Sequence, residues 1–208
     1  DNSTDPFALM AGKTSCHTSA LGSSGMLLPM GWMITNEYVE IVGDPDDISS
    51  LSDTVYNHFS ENSSIPDSGT MYYKYQGSLR CLAEGGLDYI SFAKDPTVPD
   101  YCGEDPQEWC FTGEFTSTED FYALPTFGKA PSHPIMYNPE FLSEEDVIAI
   151  QDAFAEMSED ADDVEILQNV MSTPGITITN TNEHLGTYGS LIDGVPGIQA
   201  YFEEKYGE

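Results

Sequence analysis

An α/β fold is the reading this sequence supports, because helical and strand patterns alternate along it with glycine and proline at the joints. Three stretches carry that reading. Residues 76–84 read as a short helix stopped by Gly85-Gly86, and 87–93, LDYISFA, follow as a strand. Ser143-Glu144-Glu145-Asp146 opens a second helix with an acidic first turn, and Val147, Ile150, Phe154 and Met157 along one face predict a core-facing stripe. Ile176-Thr177-Ile178-Thr179, β-branched throughout, reads as a further strand.

Taken in order, the chain starts with a polar lead-in and then turns apolar across 19–34, SALGSSGMLLPMGWMI. This is a loop that becomes a helix, with Thr18 or Ser19 near the N-cap and Pro29 marking a kink. Such a start gathers hydroxyls and unpaired backbone N–H groups, which makes it either a ready anion site or an ordinary capped helix without a ligand. Residues 36–50 form a turn-rich linker whose Asp44, Asp46 and Asp47 lack the glycine and closing glutamate of a calcium loop. Leu51, Val55 and Phe59 share one helical face, and Pro66 and Gly69 break the loop after it. Residues 71–98 place Tyr72, Tyr73 and Tyr75 at a helix start beside Cys81, so phenol oxygens meet a half-cystine where a polar cleft could form. Residues 99–129 are irregular, aromatic and acidic. The run 130–137, APSHPIMY, reads as a strand entered through a proline-bounded turn, and helices are expected over 162–171 and 195–206. No internal repeat is visible.

Length and composition narrow the class. With 208 residues, 39% of them hydrophobic, the chain can bury one good core or two small ones. Its 36 acidic residues against 6 basic ones give a formal charge of −30, which argues against binding nucleic acid or an anionic membrane through a basic patch. No apolar run reaches membrane-spanning length and no charged-then-apolar leader is present, so any signal peptide or anchor is expected to lie outside this chain.

Four cysteines, Cys16, Cys81, Cys102 and Cys110, allow three pairings, and none has the CxxC spacing of a zinc knuckle. Disulfides and an oxidising compartment are the better reading. Cys102 and Cys110 are close enough for a local bridge across a surface loop, which leaves Cys16 with Cys81. Closing that longer loop contributes roughly 4 kcal/mol in the chain-entropy view and sets the Thr18 helix start beside Tyr75. Two sequons, at Asn2 and Asn62, agree with a secreted glycoprotein.

Three segments together resemble one family, the transferrins. KTSCHTSALGSSGMLLPMGWM is similar to the segment in which Cys-His-Thr precedes the anion-binding helix. YYKYQGSLRCLAEGGLDYISFAK is similar to the Tyr-Ser-Gly…Cys-Leu…Asp-Val-Ala-Phe-Val-Lys segment, and APSHPIM to Pro-Ser-His. Order and separations agree over 13–136, and from 143 onward in outline. The acidity suits an algal phytotransferrin or another marine lobe of this kind. The resemblance implies a periplasmic-binding-protein-like (type II) lobe, two subdomains around a cleft. Residues 1–130 would form the anion- and iron-binding subdomain, and 131–208 would return through a hinge strand to complete the other. It further implies an extracellular carrier of ferric iron with synergistic carbonate, released by acid. Residue by residue, Tyr75 matches a ligand tyrosine and His133 the ligand histidine. Thr18 matches the carbonate-holding hydroxyl, with backbone N–H groups of 21–25 beside it, and Lys94 falls where one lobe type carries a lysine of its pH-sensitive pair. Cys16 and Cys81 match a disulfide of the family.

Ferric iron suits this donor chemistry: it is hard and highly charged, prefers phenolate, carboxylate and carbonate oxygen, and tolerates one imidazole. Two departures stand out. The anion-binding arginine has no counterpart, since Ser23 or Ser24 takes its place, so the anion would be held by hydroxyls, Gly25 and neighbouring N–H groups, or would be phosphate as in bacterial ferric-binding proteins. The ligand aspartate and the first ligand tyrosine belong to a preceding half-lobe, which the resemblance leaves to a companion chain or segment. Two further readings compete. One is a phosphate- or phosphonate-type solute-binding module without metal, and the other is a transferrin-derived structural protein that has lost iron. An enzyme is not expected, because Ser132 and His133 are adjacent in sequence and no GxSxG elbow is present.

Overall fold

The computed structural model describes residues 5–171 and 173–207. Strands β1 (Thr14–Cys16) and β2 (Tyr89–Ser91) pair in parallel, with Thr14 opposite Tyr89 and Cys16 opposite Ser91. A parallel pair needs a long crossover, and here it holds a π-helical turn (Ser23–Leu27), α1 (Leu28–Thr35), α2 (Ser50–His58) and α3 (Lys74–Gly85). Helix α3 is pinned across the pair: Ser78 Oγ donates to the Cys16 carbonyl at 2.8 Å and lies 2.7 Å from Ser91 Oγ. The Cys16–Cys81 disulfide locks the same contact covalently, and Cys102–Cys110 closes the loop that follows α4 (Thr97–Cys102).

The main core is rich in methionine. Met10, Met26, Met30 and Met33 pack with Leu51, Val55, Phe59 and Phe92, and Ile192, Val195 and Ile198 join them from the far end of the chain. Nearly every side of α1 is apolar, so it is buried rather than amphipathic. A smaller cluster joins Leu79 and Ala83 of α3 to Trp109 and the Cys102–Cys110 bridge.

Two compact units divide the chain. One runs up to Ala130 and takes in the residues from Thr187 on, and the other is Pro131–Gly186. The second unit holds α5 (Glu144–Met157) and α6 (Ala161–Met171), and the division falls within α7 (Thr181–Ile192); α8 (Ile198–Tyr206) closes the chain.

Several local expectations change. The helix expected from residue 18 or 19 begins as the π-helical turn after Gly22, with no side-chain cap. Pro29 sits in the first turn of α1, directly after the π-helical turn. No strand forms at 130–137 or 176–179. Pro131 and Pro134 cannot donate to a ladder, Ile178 is 68% exposed, and the sheet among the described residues has two strands. The described fold is therefore helices with a few strands. Helix α5 starts where expected, in a capping box: Ser143 Oγ accepts from the Asp146 N–H, and Asp146 accepts from the Ser143 N–H. Its stripe is not core, because no residue of α5 is buried and Ile150 is 41% exposed.

Candidate functional site

Strand β1 leads directly into the site. His17, fully buried, spans from the strand to the π-helical turn: Nδ1 donates to the Gly25 carbonyl at 2.8 Å, and Nε2 accepts from Ser15 Oγ at 2.9 Å. That tautomer follows from the carbonyl, which only accepts. The ring stacks on Phe92 with centroids 5.0 Å apart. Burial holds its pKa down to about 4, against the opposing pull of the bond to Gly25, so the ring is neutral at physiological pH.

Thr18 comes next and is buried. Its carbonyl accepts from the Lys74 N–H at 2.9 Å, so the backbone just after β1 is tied to the residue before Tyr75. Lys74 pays for this with a left-handed backbone, φ 64°. Gly25 closes on the Thr18 side chain, and a Cβ there would lie 2.2 Å from Thr18 Oγ1. Gly25→Ala is expected to cost about 2 kcal/mol through overpacking, read as a lower urea midpoint at unchanged m-value.

Two phenols reach the serines at this turn. Tyr75 Oη donates to Ser24 Oγ at a long 3.5 Å, and Tyr188 Oη donates to Ser23 Oγ at 3.0 Å. Lys94 Nζ stands 5.4 Å from the centre of the Tyr75 ring and 4.0 Å from Asp100 Oδ2. One unit thus brings together Thr18, Ser23, Ser24, Gly25, Tyr75 and Lys94. Tyr188 is not among the residues that the sequence analysis singles out. The spacing of Leu185, Tyr188 and Ile192 is helical, and Gly186 and Gly189 masked it.

His133 lies in the other unit and is exposed. Within that unit His184 Nε2 bonds the Ser132 carbonyl at 2.8 Å, next to His133. Among the described residues no three His, Cys, Asp or Glu side chains converge as round a metal ion, so any cation at the Ser23-Ser24 turn would meet phenol and hydroxyl oxygen. Asn62 is exposed in a turn, and Asn2 lies outside the described residues. No described helix is long and apolar enough to cross a membrane.

A disulfide-stapled strand and helix carrying phenols to a serine-rich turn define the first unit as a mixed helix-and-strand module with an oxygen-donor surface. Comparison with known proteins narrows this. The chain is 34% identical to the lactotransferrin of Camelus dromedarius over 111 residues, 48% of this chain and 16% of the relative. It is 36% identical to human lactotransferrin over 97 residues, 42% of this chain and 14% of the relative. Against the serotransferrin of Paralichthys olivaceus it is 26% identical over 146 residues, 61% of this chain and 21% of the relative. About half of this chain is a transferrin-like region, and it matches a small part of each relative's length. No family model and no solved structure matches the chain.

Proposed function

We propose that this protein binds ferric iron together with a synergistic oxyanion, carbonate or phosphate, as part of an extracellular transferrin-type lobe. The observation that carries the reading is the Tyr75 phenol resting on Ser24 at the turn that Thr18 and Gly25 shape, in a chain with a transferrin-like region. The cation is cargo, and the protein acts by binding rather than by catalysis. In this reading Tyr75 supplies a phenolate, which a trivalent cation stabilises although a free phenol ionises only near pH 10. Tyr188, one serine along, supplies a second. Thr18, Ser23, Ser24 and the N–H groups near Gly25 hold the anion without an arginine. A companion segment supplies the remaining ligands of the lobe.

Release follows from the same donors. Metal donors must be deprotonated to bind and the anion is lost to acid, so affinity falls as pH falls. Lys94, over the Tyr75 ring, is the nearby cation whose repulsion of bound iron would assist that release.

Adding ferric iron with bicarbonate, with phosphate or with neither tests the reading. A visible phenolate-to-iron charge-transfer band is expected only when an anion is present. It should be weakened in Tyr75→Phe and in Tyr188→Phe, lost when both are replaced, and kept in Tyr73→Phe. Absence of a band with either anion when the companion half-lobe is restored to the protein would overturn the reading.

A further inference from the structure

We infer that Asn62 carries an N-linked glycan and that a groove between α3 and β2 seats its first N-acetylglucosamine. The groove has a volume of about 340 Å³, and Asn62 is itself one of its walls, with Ser64, Tyr72, Glu84, Gly85 and Tyr89. Asn62-Ser63-Ser64 is an acceptor sequon with an exposed asparagine. The acceptor sits on a fixed frame. Its N–H donates to Ser60 Oγ at 3.1 Å, Ser63 Oγ accepts from the Ser15 N–H at 3.1 Å, and Ser64 bonds the free edge of β1 on either side of Cys16, donating to the Ser15 carbonyl and accepting from the His17 N–H.

The two aromatic walls are equally fixed. Tyr72 Oη donates to Glu84 Oε2 at 2.8 Å, and Arg80 Nε holds the other oxygen of Glu84 at 2.8 Å. The Tyr89 ring lies on the helix backbone at Gly85, where a Cβ would come within 2.2 Å of it. Glycine at 85 is what lets the ring lie there. Rigid rings present apolar faces at no ordering cost, while Glu84 and Ser64 offer acceptors to hydroxyl and acetamido N–H groups. A sugar has both an apolar C–H face and a polar rim, and one attached to Asn62 starts inside this groove. Free sugar would have to bear the full entropy of association, whereas the tethered one does not.

The test is secretion of the protein from a eukaryotic host that glycosylates in its secretory pathway. Intact mass should show a glycan that peptide N-glycosidase F removes and that Asn62→Gln abolishes. On the folded protein, release by that enzyme should be slow, and about tenfold faster in Tyr89→Ala or in Tyr72→Ala, the loss of one aromatic contact. Sugar ring protons should show upfield ring-current shifts that the same variants remove. An unmodified Asn62 in the secreted protein overturns the modification. Equal release rates with no ring-current shift overturn the seat. Neither outcome depends on iron.

Discussion

Replacing Cys16 and Cys81 together by alanine should lower the free energy of unfolding by about 4 kcal/mol, whereas replacing Cys102 and Cys110 should cost about 2.5 kcal/mol. The contrast follows from loop size: the first bridge spans a sequence separation of 65 and the second one of 8. Both bridges lie in packed surroundings, since Cys16, Cys102 and Cys110 are fully buried and Cys81 nearly so, so lost packing adds a similar amount to each. Urea unfolding of the two double variants, compared with the unaltered protein, measures the difference. Equal losses would show that chain entropy does not set the contribution of these bridges. The longer bridge has a second consequence. It ties Cys16, two residues before Thr18, to the helix that carries Tyr75, so its removal should also weaken any band seen on iron titration.

Acid should remove about 3 kcal/mol of stability through His17 alone. Its folded-state pKa is pushed down from 6.5 to about 4 by burial, so between those values the unfolded chain takes up a proton that the folded one refuses. The contribution is fully present above pH 6.5 and is lost as pH falls towards about 4. The ring's bonded and stacked neighbours are Ser15, Gly25, Phe59 and Phe92, none of which carries charge to offset the cost. Elsewhere the trend is opposite in sign. A formal charge of −30 is partly neutralised over the same range, which relieves repulsion. The measurement is therefore a difference: unfolding free energies of the protein and of His17→Gln, taken from pH 7 to pH 4. The unaltered protein should be the more stable at pH 7, and the gap should shrink by about 3 kcal/mol on acidification. A gap independent of pH would contradict the buried neutral ring.

Much of the local structure was legible because its signals are local. The Ser143-Asp146 capping box, the stop at Gly85-Gly86 and the short Cys102–Cys110 loop each depend on residues within a few turns of one another. Tyr75 was placed at the start of α3 by the same kind of evidence. Elements that need a distant partner were read less well. The β-branched run 176–179 has the composition of a strand, but composition does not supply a neighbouring edge to pair with. The stripe on α5 shows the difference most directly. Periodicity specified which face is apolar, and burial depends on whether another surface covers it.

Read alone, the sequence specified the helix carrying Tyr75, the Cys102–Cys110 bridge and the hydroxyl-rich turn at 23–25, since each is written in short-range chemistry. It did not specify Tyr188. That phenol reaches Ser23 only because Ile192, Val195 and Ile198 bury themselves against the methionines around α1 and draw the end of the chain back to its beginning. Non-local burial is non-directional and proportional to area, so no short motif announces which segments it will bring together.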